Sequence, residues 1–110
     1  MNKRRILYVG TSYLFRLALS EYEVCAVDEA LNVVDTARQF QPELNFLDID
    51  MLDMDAFDGA TQMKEEPLLK DIPIIFLGEA AFPTAPTQQF LQKPFSREQI
   101  RECIQKHLGS

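Results

Sequence analysis

Five short strand-like segments, each closed by a turn-forming or charged residue, constrain this chain more than any other feature. They are Ile6–Val9 before Gly10, Tyr22–Val27 before Asp28, Glu43–Leu47 before Asp48, Ile72–Leu77 before Gly78, and Thr87–Gln92 before Lys93. The continuous apolar run Ile6–Val9 is as expected for a strand buried on both faces of a sheet. The segments between them carry helical spacing instead. Thr11 or Ser12 can cap a helix through Leu14, Phe15, Leu17, Ala18 and Leu19. Asp28 is a good N-cap for a helix whose stripe is Ala30, Leu31, Val34, Ala37 and Phe40, ended by Pro42. A third helix is predicted from Ala56 to Glu65, stopped before Pro67. Ser96 with Gln99 forms a capping box for a last helix carrying Ile100, Cys103, Ile104 and Leu108.

Strands alternating with helices at this spacing imply βαβ units, a parallel sheet and helices on both faces. The 110 residues suffice for one domain, with no internal repeat or linker. Glu79 to Pro86, which holds two prolines, is too short and broken for a full crossover helix. A hydrophobic content of 46% and a charged content of 25% are those of a globular chain. The net charge of −6 argues against holding DNA or RNA through phosphate contacts. The one dense basic run, Lys3-Arg4-Arg5, reads as a solvated lead-in to the first strand. No apolar stretch reaches the ~20 residues of a membrane span, and the N-terminal apolar run is too short for a signal peptide. A cytoplasmic protein is expected. Cys25 and Cys103 fit no metal spacing and read as reduced, buried thiols.

In doubly wound sheets reactive groups gather at the carboxyl ends of the strands. Here those ends hold Gly10 and Thr11, Asp48, Gly78 and Lys93. Together with Phe46-Leu47-Asp48-Ile49-Asp50-Met51, Ile72-Pro73-Ile74-Ile75, Phe90-Leu91-Gln92-Lys93-Pro94-Phe95 and Asp28-Glu29-Ala30-Leu31, they make the chain resemble the receiver domain of response regulators along nearly its whole length. The resemblance implies a CheY-like, flavodoxin-type three-layer α/β sandwich: a five-stranded parallel sheet of order 2-1-3-4-5, with the fourth helix shortened or absent. It aligns Asp48 with the phospho-accepting aspartate and Lys93 with the lysine that pairs with the acylphosphate. It also implies a cis peptide before Pro94 and puts Phe90 at the position of an aromatic switch.

The departures bear on function. A receiver carries two adjacent acidic residues after its first strand to hold Mg²⁺, because phosphoryl transfer adds negative charge to an anionic carboxylate. This chain has Gly10 and Thr11 there. The hydroxyl residue expected after the fourth strand is Gly78, followed by Glu79. Leu52 and Ala56 stand where the family has Pro and Gly. The expectation is therefore an Asp48–Lys93 ion pair of structural character, and no metal or cofactor. Asp50, close in sequence, could supply a substitute ligand if the loop turns sharply after Asp48.

Asp48, Asp50, Asp53, Asp55 and Asp58 make an acidic stretch without the Gly and terminal Glu of a Ca²⁺ loop. It reads as a solvated loop or as a negative docking surface, with Asp50, Asp53 and Asp55 as candidates. Phe82 and Phe95 are candidates for an exposed apolar binding patch. His107 suits the C-terminal end of the last helix. The expected function is that of a pseudo-receiver: a non-enzymatic signalling or adaptor domain that acts on protein partners of a bacterial pathway without phosphorylation. It would stand alone or at the N-terminus of a longer protein, and it could form a homodimer. Two alternatives stay open: a phospho-accepting domain with an unorthodox Mg²⁺ site at Asp48, and a small-ligand-binding flavodoxin-like module.

Overall fold

A computed structural model describes residues 3–27, 33–50, 56–79 and 89–109. Five strands, β1 Arg5–Val9, β2 Glu23–Val27, β3 Leu44–Asp48, β4 Ile74–Gly78 and β5 Gln89–Gln92, form one parallel sheet of order β2-β1-β3-β4-β5. The helices among the described residues are α1 Tyr13–Ala18, α2 Val33–Phe40, α3 Ala56–Glu65 and α4 Arg97–Leu108. The sheet order and the layered architecture agree with the sequence reading. The start of the second helix at Asp28 and the connection through Phe82 lie outside the described residues.

Strand pleating sorts the core into two layers. Ile6, Tyr8, Leu44, Phe46, Ile75 and Leu77 face the side of α1 and α4, where Phe15, Leu19, Ile100 and Ile104 meet them. Leu7, Val9, Leu47, Ile74 and Phe76 face the other side and pack on Val33, Ala37, Ala60 and Met63 of α2 and α3. Consequently β1, β3 and β4 are buried almost throughout.

The helix ends follow from local chemistry. Ser12 Oγ accepts the Phe15 N–H at 3.1 Å and caps α1. At α4, Ser96 Oγ accepts from Gln99 N while Gln99 Oε1 accepts from Ser96 N, and Gly109 closes the helix in the left-handed conformation. β4 begins at Ile74 rather than Ile72, because Pro73 has no N–H to give to a ladder; its carbonyl instead accepts from Asn45 N at 3.0 Å. β2 and β3 likewise begin one residue later than the runs suggested, at Glu23 and Leu44.

Register brings the carboxyl ends of four strands level. Val9 pairs with Leu47, Asp48 with Leu77, and Gly78 with Gln92. The ladder runs on through Ile49 N to Leu77 O at 2.8 Å and Lys93 N to Gly78 O at 2.7 Å. Asp48 and Lys93 thus leave the sheet on either side of β4.

Asn45 breaks the apolar pattern inside β3. It is fully buried, its Nδ2 reaches the Pro73 carbonyl only at 3.4 Å, and its Oδ1 has no hydrogen-bond partner among the described residues. An unsatisfied buried acceptor costs stability that an apolar replacement of similar shape recovers. Asn45→Leu is therefore expected to leave stability unchanged or raise it by about 1 kcal/mol in urea unfolding.

Candidate functional site

Asp48 ends β3 and is 5% exposed. Each of its carboxylate oxygens is engaged. Oδ1 accepts the Asp50 backbone N–H at 2.8 Å, and Oδ2 accepts from the Lys93 ammonium at 2.8 Å. The first of these is an Asx turn, which bends the chain so that Asp50 comes round to the same side as Asp48. Asp50 Oδ2 then lies 3.2 Å from Lys93 Nζ and also accepts the Glu79 N–H at 3.0 Å. One ammonium is therefore shared by two carboxylates.

Burial works against the charge of Lys93, but its hydrogen bond to Asp48, followed by the fields of Asp48 and Asp50, outweighs burial. Its pKa is raised above the ordinary 10.5. A raised folded-state value means that the ammonium contributes its full stability below 10.5 and loses it as pH climbs through the folded value.

The β1 end of the site is closed by Tyr8. This ring is completely buried, stacks on Phe15 at 4.5 Å, and accepts the Ser12 N–H on its hydroxyl at 3.0 Å. A Cβ placed on Gly10 would lie 2.3 Å from that hydroxyl and 2.5 Å from the ring carbon that bears it. The volume that any side chain at Gly10 would need is already filled by phenol. Burial pushes the Tyr8 phenol up, opposed by the Ser12 N–H and Lys93 and reinforced by Asp48. Thr11 is exposed.

The β4 end is filled in the same way. A Cβ on Gly78 would sit 2.8 Å from Ile49 Cγ1 and 3.4 Å from the tip of Phe90. Phe90 is half-buried against the α2–α3 core layer. The peptide between Lys93 and Pro94 is cis.

Mg²⁺ fits this arrangement poorly. Gly10 offers neither a carboxylate nor room for one, and a cation of the chain's own already bridges Asp48 and Asp50. Of the other candidates, Phe95 does not stand out in an exposed patch. It is half-buried, its ring edge-to-face with Phe15 at 5.5 Å, because an aromatic beside the α1 core gains contact by turning inward. Phe82, Asp53 and Asp55 lie outside the described residues. Cys25 and Cys103 are free but half-buried rather than buried, and burial pushes both thiols up. His107 Nδ1 donates to the Cys103 carbonyl at 2.8 Å within α4.

Tyr8 is the site residue that the sequence reading passed over. The available signal was a polar-tipped ring in a strand buried on both faces, since such a hydroxyl must find a partner near the strand's end.

Three expected outcomes rest on this geometry. Lys93→Met leaves a buried carboxylate without its counter-ion and should cost about 3 kcal/mol at neutral pH, more than Asp48→Asn, which leaves Lys93 its Asp50 partner. The stability gap between Lys93→Met and the parent, followed by urea unfolding, should stay constant up to about pH 10 and narrow above it. Gly10→Ala should cost about 1–3 kcal/mol by overpacking, and a double-mutant cycle with Tyr8→Leu should show that most of this cost depends on the ring.

A sequence family described as response regulator receiver domain matches residues 9–105. The chain is similar to the polar-differentiation response regulator DivK of Brucella anthropi, with 26% identity over 105 residues that cover 87% of this chain and 85% of that protein. Its fold is similar to the receiver domain of the sensor histidine kinase PA1611 from Pseudomonas aeruginosa, with a TM-score of 0.86 at 20% identity and all of both chains covered; that structure has a magnesium ion coordinated in its active-site cleft. It is also similar to the chemotaxis protein CheY4 of Vibrio cholerae, with a TM-score of 0.83 at 20% identity over 96% of this chain and 98% of that one.

Proposed function

The chain belongs to the response regulator receiver domain family and so is a receiver domain of two-component signalling, and on that premise we propose that it works as a pseudo-receiver, acting on protein partners without phosphorylation of Asp48. One observation carries the reading. Lys93 is bound to both Asp48 and Asp50 while the Tyr8 phenol fills the volume beside Gly10.

The chemistry supports it in three ways. Phosphoryl transfer to a carboxylate brings two anions together, and a divalent cation must neutralise the charge that accumulates. Acidic side chains after β1 would have to help hold that ion, and Tyr8 stands where one would go. Asp48 is also a hindered nucleophile, with both oxygens held in short hydrogen bonds. Gly78 supplies no hydroxyl to a phosphoryl oxygen, and the Ile49 and Phe90 side chains crowd the place of one. What remains is a rigid platform whose surfaces do the signalling. In this reading the domain is not an enzyme.

A second reading has one observation in its favour. Asp48 and Asp50 converge on a single cation, so an ion that displaced the Lys93 ammonium would meet two carboxylates at once. Beryllofluoride with Mg²⁺, followed by amide chemical shifts, separates the two. The pseudo-receiver reading expects Asp48, Ile49 and Lys93 to keep their shifts at millimolar reagent. Saturable shifts around Asp48 that disappear in Asp48→Asn would overturn it in favour of a phospho-acceptor.

A further inference from the structure

A cavity of about 460 Å³ opens between the N-terminal ends of α1 and α4, on the sheet face that carries Tyr8 and Asp48. Its size falls within the roughly 300–1,000 Å³ of small-molecule sites. The walls are apolar and partly aromatic. Phe15 and Phe95 meet edge to face, and Ala18, Leu77 and Ile100 complete the enclosure. The Asp48–Lys93 pair forms one edge, so the cavity is continuous with the ion cluster.

Two polar groups in it have hydrogen-bonding or charge capacity left unused. The Tyr8 hydroxyl accepts from Ser12 N, but its own proton meets no acceptor among the described residues, although the residue is fully buried. A buried donor in that condition is costly, and an incoming acceptor would recover the cost. Arg97, the first residue of α4, lines the mouth and makes no ion pair among the described residues. Arg4, Arg38 and Arg101, by contrast, are each paired with a carboxylate. Nor is the mouth acidic, despite the chain's net charge. Asp48 is neutralised by Lys93, and Arg16 as well as Lys93 acts on Tyr8 by its charge.

We propose that this cavity is a binding site for a fused-ring aromatic carboxylate with an oxygen at the far end of its ring system. The rings lie against Phe15 and Phe95, where offset and edge-on aromatic contacts add to apolar burial. The carboxylate pairs with the Arg97 guanidinium, a charge-assisted contact with the geometry of a fork. The distal oxygen accepts the Tyr8 proton. The site stands whether or not Asp48 takes phosphate, and it gives the domain a chemical input of its own.

Titration of the full chain with hydroxynaphthoate, followed by amide chemical shifts, tests the proposal. Saturable shifts are expected at Ser12, Phe15, Phe95 and Arg97. Affinity should fall about tenfold in Arg97→Gln and about as much for the neutral hydroxynaphthamide, through loss of the charged hydrogen bonds. Tyr8→Phe, or naphthoate lacking the hydroxyl, should lose about threefold to tenfold through the missing hydrogen bond. Ala18→Leu, which fills the cavity and touches neither polar group, should abolish binding. Absence of saturable shifts at millimolar hydroxynaphthoate, or shifts centred elsewhere, would overturn the proposal. So would equal affinity for acid and amide, which would make the cavity a seat for an apolar side chain of a protein partner instead.

Discussion

The Lys93 ammonium, held between Asp48 and Asp50, is the interaction on which the rest of this site depends. It fastens the end of β3 to the end of β5 across β4, and the backbone bond from Lys93 N to Gly78 O fixes its reach. A carboxylate as buried as Asp48 is costly without a counter-charge, and so is a half-buried ammonium without an anion. The residues constrain each other: once the acidic residues after β1 are absent, the remaining carboxylates and the lysine must satisfy one another. The pairing of Asp48 with Lys93 therefore has an electrostatic reason of its own.

Packing around the cluster follows the same logic. Protein interiors tolerate few voids, so a site that lacks side chains is filled by its neighbours. At Gly10 the filler is the Tyr8 phenol, locked by stacking on Phe15 and by the Ser12 N–H. At Gly78 it is Ile49 with the tip of Phe90. The two glycines are consequently not vacancies into which an aspartate or a serine could simply be placed. Each forms one half of a fitted contact, and a larger side chain there would require its partner to move as well.

The fold was legible because burial on both faces leaves an unambiguous mark. Runs such as Ile6–Val9 and Ile72–Leu77 could belong only to inner strands, and their spacing admitted helices only on the faces between them. Ser96 with Gln99 was readable for a local reason, since a capping box involves only four consecutive residues. The site was half legible. Asp48 and Lys93 could be placed because both sit at strand ends, where a parallel sheet collects its functional groups. Asp50 could not be joined to them, because it lies beyond the end of β3, where the Asx turn rather than strand pleating sets its direction. Phe95 read as exposed because its inward partner, Phe15, lies far away in the chain and leaves no local trace. Tyr8 read as one more apolar residue, since periodicity records the ring and ignores the hydroxyl.

Tyr8 connects the two halves of the molecule's functional surface. Its hydroxyl end excludes any side chain from Gly10, and the same group lines the cavity between α1 and α4. The Asp48–Lys93 pair forms the edge of that cavity and acts on the phenol through its charges. A molecule entering from the side of Arg97 would thus touch the very ring that fills the space beside Gly10, and would do so beside the ammonium that bridges the carboxylates. Because the ring is stacked on Phe15 and Phe15 is edge-on to both Phe46 and Phe95, a displacement of Tyr8 cannot stay local. The aromatic cluster joins β1, α1, β3 and the segment just before α4 into one packed unit, and a ligand in the proposed cavity would lie directly against it.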